Sequence, residues 1–298
     1  MAQPVLLACD WGTTNLRAWT LDAGGGIVGQ QDFPLGVAKL APGEAARRFE
    51  AEVRPALAAQ GLPAILCGMI GSNLGWKTAP YADCPAGVPE LTACLTSVAE
   101  DVRIVPGLRC QGIAGAPDVM RGEETQILGW LAQHADRQAG RQVLCHPGTH
   151  AKWVLIEDGR IVRFVTAMTG ELFAVLGQHS VLKSDAAAND DEAFDQGLAA
   201  AGPGDALAAR LFTVRSRVVG GNAPPTSTPS YLSGLLIGAE VAAVPPLLGE
   251  RPERVVLLGD AALCARYRRA LDRGGITAEV FDGEAAAVAG LFALGARP

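Results

Sequence analysis

One short pattern occurs twice in the chain and sets the strongest limit on its fold. Val5 to Cys9 is a continuous apolar run, the form of a strand buried on both faces. It ends at the small, polar turn Asp10-Trp-Gly-Thr-Thr-Asn15. Leu16 to Leu21 then alternates, Asp22 to Gly26 is a glycine-rich turn, and Ile27 to Phe33 reads as a third strand. About 136 residues later the order returns. Gln142 to Cys145 is a strand, His146-Pro-Gly-Thr-His150 a turn, Lys152 to Ile156 a strand, Glu157 to Arg160 a turn, and Ile161 to Val165 a strand. Gly12-Thr13 and Gly148-Thr149 occupy matching places, which reads as an internal structural duplication.

At 298 residues the chain exceeds what one hydrophobic core usually serves, so the duplication implies two domains. With 49% apolar and 19% charged residues it is not a disordered chain. A net charge of -6 and 5% aromatic residues argue against a nucleic-acid binder, which needs a basic face or stacking platforms. Seven cysteines without a C-x-x-C pair read as small buried hydrophobes in a reducing compartment. Met1-Ala-Gln-Pro4 lacks a basic start and Asp10 interrupts the first apolar run, so no signal peptide is expected. The apolar stretch Tyr231 to Leu248 carries Glu240 and a Pro-Pro pair, unlike a membrane span. The expected location is the cytoplasm.

Between and after the two units, helices and strands alternate, as in a mixed sheet with helices packed on it. Helices are predicted at 43–60 (interrupted near Pro55), 88–100, 123–139, 172–182, 190–211, 231–244, from 259 through 270, and from 283. Further strands are predicted at 64–70, 102–105 and 255–258.

Several groups along this scaffold have a chemical use. Gly12, Thr13, Thr14 and Asn15 follow a buried strand, and such small residues let backbone N–H groups and hydroxyls approach phosphate oxygens. Gly148, Thr149, His150 and Lys152 offer the same in the second unit, so two hairpins facing across a cleft would grip a triphosphate. Neither turn is a Walker A loop. Asp10, at the strand end, is placed to hold a magnesium ion through its waters. Glu123 and Glu124 follow Gly122 at a helix start. A carboxylate there can accept the proton of an alcohol that is being phosphorylated, and acidic residues also complement a helix N-terminus. Glu123 is the preferred base. The loop Gly68 to Lys77 gathers groups suited to a polyhydroxy acid: Ser72 and Asn73 for hydroxyls, Trp76 as a wall, Lys77 for a carboxylate. Arg17 and Arg121 are further cations. Gly259 and Asp260, after a strand, would lie against a nucleoside. The four histidines show no zinc spacing.

The blocks Asp10-Trp-Gly-Thr-Thr-Asn-Leu-Arg-Ala-Trp19, Gly68-Met-Ile-Gly-Ser-Asn-Leu-Gly-Trp-Lys77 and Met120-Arg-Gly-Glu-Glu-Thr-Gln126 resemble the 2-dehydro-3-deoxygalactonokinase family. So do Pro147-Gly-Thr-His-Ala-Lys-Trp153, Met168-Thr-Gly-Glu-Leu172 and Leu232-Ser-Gly-Leu-Leu-Ile-Gly-Ala-Glu240. The family is a branch of the actin-like ATPase superfamily. The resemblance implies an α/β fold with two ribonuclease-H-like domains around a central nucleotide cleft. Residues 1–139 would carry the sugar acid and first phosphate hairpin, and 140–298 the second hairpin and the adenosine side. It further implies ATP and Mg2+ as cofactors, phosphorylation of 2-dehydro-3-deoxy-D-galactonate on O6 in galactonate breakdown, and the acid opening the helix after Gly122 as base. Relatives often have two glycines at the place of Gly259; here there is one. The partners implied are ATP and a small sugar acid, with no nucleic acid or membrane, and a homodimer left open. Two other readings stay in play. One is a kinase for another keto-deoxy acid such as the gluco epimer. The other is a nucleotide-dependent binding or regulatory protein, which would need neither the acidic pair nor the polar loop.

Overall fold

The computed structural model describes residues 2–202, 206–249 and 251–296. The chain divides into two compact units, residues 1–141 with 156–163 and 282–298, and residues 142–155 with 164–281. A cut at 139/140 into contiguous halves therefore needs two amendments: a hairpin tip and the C-terminal helix belong with the first unit.

Unit one opens with β1 (Leu6–Trp11), β2 (Leu16–Leu21) and β3 (Ile27–Phe33), which form an antiparallel meander. The helical run that follows is α1 (Glu44–Arg48), a π turn at Phe49–Val53 and α2 (Arg54–Ala56). Pro55 has no N–H to give residue 51, so the ladder widens just before it. Next come β4 (Ala64–Cys67), β5 (Tyr81–Asp83) and α3 (Val88–Ala93). Then follow β6 (Thr96–Ala99), β7 (Val102–Ile104), β8 (Gly107–Gln111), β9 (Pro117–Met120) and α4 (Glu123–Gln133).

The main sheet runs β3-β2-β1-β4-β7-β6, with β1, β4 and β7 parallel and β6 antiparallel to β7. A mixed sheet of this kind accords with the ribonuclease-H-like fold expected. β1 is buried on both faces. Leu7, Cys9 and Trp11 join Leu66, Phe49 and Val53 on one side, while Leu6 and Ile65 lie against the end of the C-terminal helix at Gly295. The predicted helix 88–100 is corrected to a short helix plus β6: α3 ends at Ala93, and Thr96 to Ala99 pairs with β7 instead. The alternating exposure of β6 marks an edge strand, which helical periodicity hides. The helix predicted over 123–139 ends at Gln133.

The second sheet, β12-β11-β10-β13-β14, repeats the order of the first five strands. It comprises β10 (Arg141–His146), β11 (Ala151–Glu157) and β12 (Arg160–Ala167). α5 (Thr169–His179), α6 (Asp191–Ala201), α7 (Leu207–Val219) and α8 (Thr228–Ala243) follow. β13 (Arg254–Gly259), α9 (Ala261–Arg273) and β14 (Thr277–Asp282) complete it. The run predicted as one helix over 190–211 is thus α6 and the start of α7; residues 203–205, between them, lie outside the described residues.

α10 (Gly283–Gly295) crosses α4 in unit one at backbone contact. A Cβ on Gly129 would stand 1.8 Å from the Ala286 carbonyl oxygen, and one on Gly290 1.9 Å from that of Thr125. Only glycine allows such an approach. It fixes α4, and with it the acidic pair at its first turn. The apolar run Pro225–Leu248 meets the length and composition of a membrane span, yet α8 is buried along most of its length inside unit two, with Glu240 in that interior.

Candidate active site

In unit one the first hairpin turn is set by its own backbone. Gly12 N–H donates to the Asn15 carbonyl (2.9 Å), while Gly36, Val37 and Ala38 donate to the carbonyls of Thr14, Gly12 and Thr13 (3.1, 3.0 and 3.2 Å). With those carbonyls engaged, the exposed Thr13, Thr14 and Asn15 are left on the outer side of the turn.

Asp10 sits one turn of the pleat before this hairpin, opposite Arg17 on β2 and Cys67 on β4. Its Oδ2 accepts from Arg17 Nη2 at 2.8 Å, and Arg17 Nη1 lies 3.6 Å from Glu284 at the start of α10. Burial opposes the Arg17 charge, but the Asp10 charge and hydrogen bond, followed by Glu284, raise its pKa overall.

Gly68 links Asp10 to the acidic pair. It has φ +87°, and a Cβ there would meet the Trp11 carbonyl at 2.9 Å and Asp10 Oδ1 at 3.2 Å. A Cβ on Gly122 (φ +109°) would in turn meet Gly68 Cα at 3.3 Å. The end of β1, the end of β4 and the start of α4 therefore touch through two glycines. β9 delivers α4 to this point, being held against β8 with Leu108 opposite Met120.

The two glutamates differ sharply. Glu124 is fully buried, and its oxygens accept the Gly122 N–H (2.9 and 2.7 Å) and the Thr125 hydroxyl (3.1 Å). Burial, then the neighbouring Glu123 charge, pushes its carboxyl up to about 8 against the lowering effect of those bonds. Glu123 is half-buried and accepts the Arg121 N–H at 3.1 Å. Desolvation holds the buried Cys67 thiol well above its ordinary range, and the Asp10 and Glu124 carboxylates add to that rise.

The loop after β4 is more structural than its composition suggests. Trp76 lies against Phe49 (centroids 5.6 Å apart), Lys77 Nζ donates to the Ser97 carbonyl (3.2 Å), and the Ser72 hydroxyl accepts from Leu74 N–H (3.2 Å). Asn73 is exposed. Arg121 stacks on Tyr81 at 4.4 Å and gives Nη2 to the Ala79 carbonyl (2.8 Å), while its Nε and Nη1 are buried without a hydrogen-bond partner.

In unit two, Gly148 and Thr149 border a cavity of about 350 Å3, lined also by Thr169, Gly170, Ile237 and Tyr267. α5 starts against the turn: a Cβ on Gly170 would stand 2.4 Å from the Gly148 carbonyl oxygen, and Glu171 N–H donates to the Thr149 carbonyl (2.9 Å). His150 is paired with Glu171, and Lys152 is buried. β13 runs parallel to β10 and brings Gly259 (φ +147°) beside Pro147. Asp260 caps α9 by accepting the Leu263 N–H (2.9 Å), and the next residues, Ala262 and Leu263, border the same cavity. Sequence reasoning missed Thr169, Ile237 and Tyr267. The blocks containing Thr169 and Ile237 stood out, but apolar and hydroxyl residues on helices carry no individual signal.

A family model described as 2-keto-3-deoxy-galactonokinase matches residues 10–294. A 2-dehydro-3-deoxygalactonokinase of Escherichia coli (strain K12) is 37% identical over 287 residues, spanning 96% of this chain and 95% of that protein. A protein of Rhizobium meliloti (strain 1021) named for the same activity is 36% identical over 296 residues, with 96% and 95% covered. A crystal structure from Sinorhizobium meliloti, titled for that activity as well, superposes with a TM-score of 0.84 at 34% identity, covering 97% of each chain.

Proposed function

The chain belongs to the 2-keto-3-deoxy-galactonokinase family, and from that premise we propose that it phosphorylates 2-dehydro-3-deoxy-D-galactonate on O6 with ATP. The enzyme is an ATP-dependent sugar kinase. The observation that carries the residue-level reading is the close packing at Gly68, which both Asp10 and the Gly122 turn opening α4 approach.

Glu123 is the base in this reading. It opens α4 with partial exposure, whereas Glu124 has no exposed surface and both its oxygens are engaged by the backbone of its own turn. Glu123 takes the O6 proton as the oxygen–phosphorus bond forms, and the bond from phosphorus to the ADP oxygen breaks. Removing that proton as the new bond forms spares the enzyme an oxonium intermediate. The Gly12 to Asn15 turn, exposed at Thr13, Thr14 and Asn15, and Gly148 to Lys152 in unit two are the proposed contacts for the phosphate oxygens. The cavity beside Gly148, with Gly259 and Asp260 at its α9 end, takes the nucleoside.

A magnesium ion fits the residues present. Asp10 offers Oδ1 while Oδ2 is held by Arg17, and no group of three or more metal-binding side chains exists among the described residues. Magnesium is held in that way by one carboxylate, waters and substrate phosphates. When bound, it neutralises charge on the phosphate oxygens. Ser72, Asn73, Trp76, Lys77 and Arg121 remain the proposed contacts for the sugar acid, while Arg17 is committed to Asp10 and Glu284; Arg121 is favoured for the carboxylate because two of its buried nitrogens lack partners. The cytoplasm, which maintains ATP, is the proposed location.

The test is coupled ADP release against a panel of keto-deoxy acids that includes the gluco epimer. ADP release that depends on the galacto acid is the expected result. A preference for the epimer moves the substrate, and ATP turnover indifferent to every acid removes the kinase reading.

A further inference from the structure

Glu240 is a carboxylate in the interior of unit two, 5% exposed, at a position no step above uses. It lies on α8, and its partners come from three other elements. Trp153 Nε1 of β11 donates to Oε1 at 2.6 Å, and the Tyr267 hydroxyl of α9 donates to Oε2 at 2.8 Å. The Thr169 hydroxyl, at the first residue of α5, also favours the charged form of this carboxylate. Desolvating a carboxylate is costly, and an apolar side chain of similar volume would pack there at lower cost. What an apolar side chain cannot do is fix the angles between four elements through directional bonds.

Three of those elements, α5, α8 and α9, line the cavity assigned above to the nucleoside. Thr169 and Tyr267 are two of its walls, and α8 contributes Ser233, Leu236 and Ile237. Thr169 also precedes Gly170 and Glu171, the two residues in backbone contact with the Gly148-Thr149 turn. One carboxylate is thus linked to both the pocket wall and the phosphate turn.

We propose that Glu240 is a positioning residue for the nucleotide, setting the α5 start and the Tyr267 wall at the spacing that ATP requires. This rests on the cavity being the nucleoside site.

The test is steady-state kinetics with ATP and the sugar acid varied in turn. For Glu240→Gln, the ATP KM is expected to rise about tenfold, within the range for losing charged hydrogen bonds, while kcat and the sugar-acid KM stay within about twofold. Thr169→Val is expected to reproduce the rise and Thr169→Ser to restore the wild-type value. The double variant Glu240→Gln with Thr169→Val should be no worse than the poorer single change, since both act through one bond. Should Glu240→Gln fail to fold, Thr169→Val and Tyr267→Phe repeat the test, because each removes one hydroxyl and leaves the carboxylate. An unchanged ATP KM in both of those variants overturns the proposal, as do parallel losses in kcat and both KM values, the pattern of a loosened core. Ile237→Trp narrows the cavity and leaves the four-residue network in place. If it does not raise the ATP KM, the nucleoside assignment has failed, whatever Glu240 does.

Discussion

Glu124 accepts the backbone N–H of Gly122 with both carboxylate oxygens, at 2.9 and 2.7 Å, and so folds back on the turn that opens its own helix. The bond ties the conformation of Gly122 to a buried acid, and Gly122 in turn bears on Gly68.

The pH dependence of stability follows from this. Burial pushes the folded Glu124 carboxyl up to about 8, against 4.5 for an unperturbed glutamate. Between those values the folded state holds a proton that the unfolded chain has released, so stability falls as pH rises. Urea unfolding from pH 5 to pH 8 is expected to show this decline in the wild type. In Glu124→Gln it should be smaller, with the variant gaining relative stability toward pH 8.

Arg17 was a candidate for the substrate carboxylate, but it is engaged by Asp10 and by Glu284. Arg17→Gln frees the Asp10 carboxylate from its nearest orienting partner. The expected effect is a severalfold change in the magnesium concentration for half-maximal rate, with the sugar-acid KM altered by less than about twofold. Kinetics with free magnesium varied at fixed ATP measure it.

Gly68→Ala should be among the most damaging small substitutions in unit one. Its Cβ would enter the space of the Trp11 carbonyl and Asp10 Oδ1, at a φ of +87° that alanine rarely adopts. A loss of about 1–3 kcal/mol in unfolding free energy is expected from the backbone strain, together with at least a tenfold fall in kcat. Thermal unfolding and turnover on one preparation check both.

Arg121 and Lys77 make opposite claims on the substrate carboxylate. Lys77 is exposed and tethered to Ser97, whereas Arg121 has two buried nitrogens without partners. Arg121→Gln is expected to raise the sugar-acid KM at least tenfold, the order of a charged hydrogen bond, and Lys77→Gln by less than about threefold. Substrate titrations of the two variants compare them.

Much of the fold was legible because its strands are buried on both faces and end in glycine turns. β1 and β10 are the clearest instances, and the repeated order of the two sheets follows from them. β6 was hidden because an edge strand with one wet face, directly after a short helix, continues that helix's polar pattern. β5, β8 and β9 were missed because they are short and of mixed exposure. In the site, the acidic pair was readable from Gly122, but the division of labour within it was not. Adjacent glutamates on a helix point about 100° apart, and which one is buried depends on Thr125 meeting Gly290 of α10, far along the chain. The loop from Gly68 to Lys77 was read as a binding surface, and its composition did not reveal that Trp76 also packs on Phe49 or that Lys77 also bonds Ser97, contacts made far along the chain.

The most direct test of the account is single-turnover phosphoryl transfer from ATP to 2-dehydro-3-deoxy-D-galactonate by the wild type and by Glu123→Gln. Sugar-dependent transfer is expected in the wild type and a rate at least ~10²-fold lower in the variant, with both substrates still bound. Equal rates in the two proteins would contradict it.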